Sequence, residues 1–174
     1  MKSKFNKDRM PILKIENNNI KFSKEVIYLD IIIDDKLSFV AHAKYIRDKL
    51  VKYIMSIKRI AKEEWGLKKN VLEVLYKAIA VPIATYGAAF WFDKVSHVLV
   101  RRYVLAAQRA LLLVLTRACR TTSTIAMQVI SGILPLDLEI IQQGLVNKIK
   151  RNLNVSWNNY NFEKKEEPIN IEEE

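Results

Sequence analysis

The sequence predicts a mainly α protein, a bundle of helices with a small antiparallel β unit on its N-terminal side, and three observations carry that prediction. Only four glycines and four prolines occur among 174 residues, too few for a chain built on many tight turns. Ahead of residue 37 the apolar residues gather in short β-branched runs, and beyond it they recur every three to four residues. Half of the residues are apolar, enough at this length to bury a real core.

Residues 1–10 read as a basic leader and residues 11–36 as the β unit. Apolar residues at 12–15 and 20–22 flank Glu16-Asn17-Asn18-Asn19, a polar turn suited to closing a hairpin. The run from Val26 to Ile33 predicts a third strand, which Asp34-Asp35-Lys36 breaks. Three strands need helices packed on them to be stable.

Residues 37–153 read as the helical domain. In its first helix Phe39, Ala43, Ile46, Leu50, Tyr53, Ile54, Ile57, Ile60 and Ala61 fall on one stripe, with Ser38 as the N-cap and Gly66 as the stop. A second helix is expected over about 70–91, kinked or divided by Pro82. Its Tyr86-Gly87-Ala88-Ala89 stretch offers little bulk and lets another element come close. A third helix, about 96–119, is expected to bury Val100, Val104, Leu105, Leu111, Leu112 and Leu115. A short helix, about 122–131, ends at Gly132. Pro135 opens a last one to about residue 153, with Leu138, Ile141, Leu145 and Ile149 inward. Residues 154–174, rich in Asn and Glu, predict a flexible acidic tail.

The net charge of +10 is unevenly spread: residues 1–150 hold 26 basic against 13 acidic residues, a surplus of +13. Such a surplus on a folded body favours a polyanionic partner through counterion release. Two helical faces concentrate it. Lys44, Arg47, Lys58 and Lys62 lie along one flank of the first helix, and Arg102, Arg109 and Arg120 fall nearly in line on the third. These seven cations are the candidate nucleic-acid contacts. The alternative reading of each is a solvated helix face.

Several site classes find no footing in the sequence. Cys119 is the only cysteine, which excludes an intramolecular disulfide and points to a reducing compartment. With only His42 and His97 besides, four-ligand zinc sites are excluded. The isolated glycines form no phosphate loop, and no cofactor is expected. The pair Asp34-Asp35 invites comparison with two-metal centres, but those draw carboxylates together from separate strands. Asp30, on the same run, would stand more than about ten ångströms away. A strand-to-helix turn is the plainer reading of the pair. Residues 74–92 are mostly apolar but hold Lys77 and Pro82, and read as a core helix rather than a membrane span. The first nine residues lack the apolar centre of a secretory signal.

The order of segments resembles a known family. The run Val26-Ile27-Tyr28-Leu29-Asp30-Ile31-Ile32-Ile33-Asp34, then Leu37-Ser38-Phe39 and His42, resembles the stretch after the catalytic motifs of non-LTR, LINE-like retrotransposon reverse transcriptases. Tyr86-Gly87-Ala88 with Trp91 is similar to that family's Leu-Tyr-Gly-Ala-x-x-Trp, and Gln108-Arg109 to its Gln-Arg in a basic helix. Ala118-Cys119-Arg120-Thr121-Thr122-Ser123, then Ser131-Gly132-Ile133-Leu134-Pro135-Leu136-Asp137-Leu138, resembles signatures of the arthropod rDNA- and telomere-targeting clades. Asp30 stands where the family has glycine, and Cys119 where it has tyrosine. The resemblance runs over about residues 11–150.

The resemblance implies a primer-grip-like hairpin that includes Tyr28, Leu29 and Asp30, followed by a helical thumb. The family's Tyr-x-Asp-Asp strand and its partner aspartate have no counterpart in this chain, so the chain alone is expected not to catalyse. The implied partner is an RNA/DNA template–primer duplex, held by its phosphates, in the nucleus or cytoplasm. A protein partner is the alternative, through Trp65, Phe90, Trp91 and Phe92. A third reading, a relic without function, would leave strand edges and apolar surface uncovered.

Overall fold

The computed structural model describes residues 14–16, 18–19, 23–60, 69–151, 153–157 and 160–162. The expected leader, Lys62, Trp65, Gly66 and residues 163–174 lie outside these. Within the β unit, β1 (Lys14–Ile15) pairs antiparallel with β2 (Asn18–Asn19), Lys14 opposite Asn19 and Ile15 opposite Asn18. The turn therefore spans two residues rather than the expected four, with Glu16 at φ 48°. A two-residue loop with positive φ matches the twist of its flanking strands better than a longer one.

The expected single strand over 26–33 is instead a second hairpin. Glu25–Tyr28 (β3) runs antiparallel to Ile31–Asp34 (β4), with Tyr28 opposite Ile31. Leu29 and Asp30 form its tip at φ 48° and 62°. Neither is glycine, which hid the turn inside an apolar run. An aspartate tolerates this left-handed backbone better than most residues, because its short carboxyl group bonds locally. All of β3 is exposed, whereas Ile31 of β4 is buried.

Asp34 ends β4 and starts the helical body. Its Oδ1 accepts from the Phe39 amide at 2.9 Å and its Oδ2 from the Ser38 amide at 3.1 Å. Burial pushes this carboxyl up, but the amides of Phe39 and Ser38 outweigh burial and hold it below the usual carboxylate range. Ser38, the expected cap, accepts from the Val40 amide at 3.4 Å. Helix α1 (Val40–Ile60) then runs without glycine or proline and buries Ala43, Ile46, Leu50 and Ile54. Tyr53, expected on the inner stripe, is exposed, and His42 is buried instead.

Proline distorts the next helical stretch without ending it. Helix α2 (Lys69–Leu75) passes through a π-helical turn, Tyr76–Ala80, into α3 (Val81–Thr85), which opens with Pro82. The missing proline N–H removes one helical bond, and the widened turn ahead of it absorbs the break. Tyr86-Gly87 then stops the helix, and α4 (Ala88–Trp91) leads into a 3-10 turn, Phe92–Ser96. The segments Lys69–Thr85 and Ala88–Ser96 meet at a 49° bend, and among the described residues no single helix is long and apolar enough to cross a membrane. At Gly87 (φ 62°) an added Cβ would stand 2.5 Å from Ile31 Cδ1, so the hairpin is the element that approaches there.

Helix α5 (Val98–Thr116) buries Val100, Val104, Leu111, Leu112 and Leu115 as expected, while Leu105 is only half-buried. It is shorter than expected because Arg117 turns left-handed at φ 52°. Helix α6 (Thr124–Ser131) starts behind Ser123, whose Oγ accepts from the Ala126 amide, and ends at Gly132 (φ 70°). In α7 (Leu136–Lys150) the buried face is Leu136, Ile140, Ile141 and Gly144, and Leu138 points outward. Of the expected stripe Ile141 is buried and Leu145 packs against the core, while Leu138 is exposed. Gly144 is demanded by Phe92, whose Cβ and ring lie 2.5–2.7 Å from where a Cβ would stand.

The tail expected from Asn154 begins as structure. Val155–Trp157 (β5) pairs with Tyr160–Phe162 (β6), and the Trp157 ring lies 6.1 Å from that of Phe92. One tryptophan with an apolar surface to cover anchors a hairpin that a polar composition conceals.

Candidate nucleic-acid interface

Helices α1 and α5 lie side by side and run in the same direction. Arg47 sits over the ring of Tyr103 at 5.0 Å, and Ile54 and Ile57 line one small cavity with Leu111, Val114 and Leu115. The pairing follows from two apolar stripes of similar length. It leaves a flank of α1 beside the outer face of α5, and the predicted cations distribute along that seam.

Arg47 is half-buried and donates to Asp48 Oδ1 from Nε and Nη2 at 2.9 and 2.7 Å. Lys44, one turn earlier, and Arg102, next to Tyr103, are exposed and make no ion pair among the described residues. Lys58 is exposed near the far end of α1, about 21 Å from Lys44 at the helical rise. Lys62 lies outside the described residues.

The expected line Arg102, Arg109, Arg120 is not one face. Arg117 ends α5, so Arg120 falls in the turn after it, exposed. Arg109 is drawn inward: its Nη1 donates to Thr122 O at 2.7 Å and to Thr124 Oγ1 at 3.0 Å, and its Nη2 to Arg120 O. With three of its five N–H donors so engaged, the guanidinium holds the α5–α6 loop. Spacing alone cannot foresee this, because the loop that captures the side chain begins where the helical period fails.

Gln108, its neighbour, is 0 % exposed and wholly satisfied. Its Nε2 donates to Leu134 O at 2.7 Å and Tyr76 Oη at 3.1 Å; its Oε1 accepts from Gln128 Nε2 at 2.8 Å and the Leu136 amide at 3.1 Å. Arg101 donates to the buried Asp137 Oδ2 at 2.8 Å. The residues that carry the family-like motifs after residue 100 are therefore one another's partners. Burial raises the Tyr76 phenol, with Glu139 adding to it, and burial likewise raises Glu139 itself.

The hairpin tip is tied to α1. Asp30 Oδ1 accepts from Tyr45 Oη and Oδ2 from Lys49 Nζ, both at 2.6 Å. These two partners hold the Asp30 carboxyl below the usual range, and the bond to Asp30 raises both Tyr45 and Lys49. Behind them His42 is buried, its ring perpendicular to Trp91 at 5.2 Å and its Nδ1 facing the Ile32 amide at 3.4 Å. Burial lowers the His42 pKa to about 4, so the ring is neutral. Tyr45, Lys49 and Tyr103 were missed in the sequence. Nothing in their spacing marks them, and only the folded hairpin and the α1–α5 seam bring them into play.

On the other side of the hairpin, Tyr28, Leu29, Ile31, Leu37 and Phe90 line an open apolar groove of about 600 Å³. Phe90 is 64 % exposed, whereas Trp91 and Phe92, expected beside it on the surface, are buried. Trp65 lies outside the described residues.

No family model matches the chain, and no solved structure matches it. Curated proteins do. A Pol polyprotein of the type-1 retrotransposable element R1 from Bradysia coprophila is 30 % identical over 153 residues, which are 88 % of this chain and 15 % of that protein. Two R1 Pol polyproteins from Nasonia vitripennis are similar: one is 35 % identical over 130 residues, 74 % of this chain and 33 % of its own length. The other is 30 % identical over 150 residues, 84 % of this chain and 44 % of its own length. The chain thus spans less than half of each of these relatives, and over most of its own length it is homologous to a segment of the Pol polyproteins of arthropod R1 non-LTR retrotransposons.

Proposed function

We propose that this chain is a non-catalytic, thumb-like segment that grips a template–primer duplex by its phosphates on behalf of an RNA-directed DNA polymerase. One observation carries the reading: Arg47, over the ring of Tyr103, joins α1 to α5, and Lys44 and Arg102, their near neighbours in the chain, are exposed and make no ion pair among the described residues. Lys58 and Arg120 extend the seam, and Arg109 serves it by fixing the loop that carries Arg120. Contacts of this kind set position and not sequence, so binding is sequence-tolerant and salt-sensitive. Asp34 caps a helix and Asp30 is neutralised by Lys49, which supports the non-catalytic part of the reading. Neutralisation also lessens the repulsion a carboxylate at the tip would exert on a phosphate.

The test is fluorescence anisotropy of the chain with an RNA–DNA duplex across a salt series, in wild type and with Lys44, Arg47 and Arg102 changed to Ala. Affinity that falls steeply with salt, and further in the triple variant, supports the grip. A folded chain that ignores the duplex at low salt overturns it. A second reading, a protein-interaction module, rests on the apolar groove at Tyr28, Leu29 and Phe90. A tight homodimer or heteromeric complex lost on Phe90→Ser, with nucleic acid ignored, would favour it.

A further inference from the structure

We propose that the cleft between the β3–β4 tip, α1 and α3 is a binding site for one unpaired nucleobase, an inference that deepens the grip reading and rests on it. The cleft, of about 210 Å³, is open to solvent and bounded by Asp30, Tyr45, Lys49, Pro82 and Tyr86, with His42 at its back.

Its two sides differ in chemistry as a base requires. Pro82 and the ring of Tyr86, which is 49 % exposed, supply an apolar wall and a free aromatic surface. A ring of this kind gains from stacking on any base, whatever its identity. The opposite rim is polar and has hydrogen-bonding capacity to spare. Each Asp30 oxygen accepts one bond and can accept another, and Lys49 uses one of its three N–H groups on Asp30. The Tyr45 hydroxyl donates to Asp30 and keeps its own lone pairs. Donors and acceptors therefore alternate along one edge, facing a flat apolar wall. A bare anion would find the Asp30 carboxylate against it, and a fatty ligand would find the rim unpaired. A heterocycle with both donor and acceptor atoms on its edge satisfies each side.

The cleft also lies on the proper helix. Lys44 and Tyr45 are adjacent on α1, so the exposed face of the helix joins the cations proposed to hold phosphates to the cleft. A strand gripped at Lys44 reaches the cleft by crossing that face, and a base freed from pairing at a duplex end is the part of it that fits.

Three duplexes of equal paired length test this by anisotropy with the full chain: blunt-ended, bearing a short single-stranded overhang, and bearing the same overhang without bases. The last two carry equal phosphate charge. The expected result is binding at least about fivefold tighter to the overhang with bases than to the abasic one. Tyr86→Ala should erase that preference and leave blunt-duplex affinity unchanged, since Tyr86 is no part of the phosphate grip. Equal affinity for both overhangs, with the blunt duplex bound, overturns the base site and leaves the grip standing. If the folded chain ignores the blunt duplex, the grip reading fails and the cleft is judged by titration with adenosine and cytidine, read from tyrosine ring proton shifts. Saturating shifts at Tyr45 and Tyr86 support the site; unmoved resonances sink it.

Discussion

The junction of α5, α6 and α7 and the flank formed by α1 with the β3–β4 hairpin spend their polar residues in opposite ways. At the junction Gln108, Gln128 and Arg109 bond inward, to carbonyls, an amide and, between the two glutamines, each other, and the buried Asp137 takes the Arg101 guanidinium. Along α1 and the start of α5 Lys44, Lys58 and Arg102 are exposed, and an apolar groove stands open at the hairpin. Both regions are dense in residues that a motif reading singles out. The difference teaches that a polar signature does not imply a ligand. A buried amide that makes four hydrogen bonds is as constrained as a catalytic group, because leaving its partners unpaired is costly.

The sharpest way to break the comparison is to empty the hub. Gln108→Leu keeps the volume but strips Leu134 O, the Leu136 amide and Gln128 Nε2 of their partner. A loss of about 3–5 kcal/mol is expected from several buried groups left unsatisfied together. Urea unfolding measures it. A loss below about 1 kcal/mol would mean that water reaches the junction and that its polar network is not what locks the bundle.

A second test separates the regions by pH. His42 has a folded pKa of about 4 against an ordinary 6.5, so between these values the unfolded chain binds more protons. Stability is therefore full above pH 6.5 and is lost as pH falls toward 4, by about 2 kcal/mol between pH 7 and pH 5. Glu139, raised by burial, pulls the other way as pH falls toward the ordinary carboxylate range. Replacing His42 by Asn should flatten the profile. A wild-type profile already flat over this range would show that the hairpin opens and lets the ring charge.

How much of this was legible before folding divides along the same line. The helical body, a kink at Pro82, the caps at Ser38 and Gly132 and the close approach at Gly87 all follow from local chemistry, and the structure has them. Local rules failed where a long-range contact decides. Leu29-Asp30 turns because Tyr45 and Lys49 hold the tip, and β5–β6 forms because Trp157 finds Phe92. Arg109 left its expected stripe for a loop that no periodicity describes. Lys44 and Lys58 of α1 stay exposed, and Lys44 makes no ion pair among the described residues.

Arg109 supplies a smaller but more discriminating effect. Arg109→Ala removes three bonds to the α5–α6 loop from a half-buried guanidinium, and about 1–2 kcal/mol of stability should go with them. Its phosphate contacts, if the side chain is committed to the loop, are nil. The salt dependence of duplex binding by the folded variant should match wild type. A reduced slope would return Arg109 to the interface.

The opposite signature belongs to Arg102 and Lys44. Both are exposed, so changing either to Ala should alter stability by no more than about 0.5 kcal/mol. Each removes one phosphate contact, and the slope of log affinity against log salt should fall by about 0.9 per cation on a B-form duplex. Measured side by side with Arg109→Ala, the two single variants form a crossed design. One kind of arginine moves the unfolding midpoint and leaves the salt slope alone; the other moves the slope and leaves the midpoint alone. If Arg102→Ala lowered stability as much as Arg109→Ala did and left the slope untouched, the seam between α1 and α5 would be another structural joint. The open groove beside Phe90 would then be the better place to look for what this segment holds.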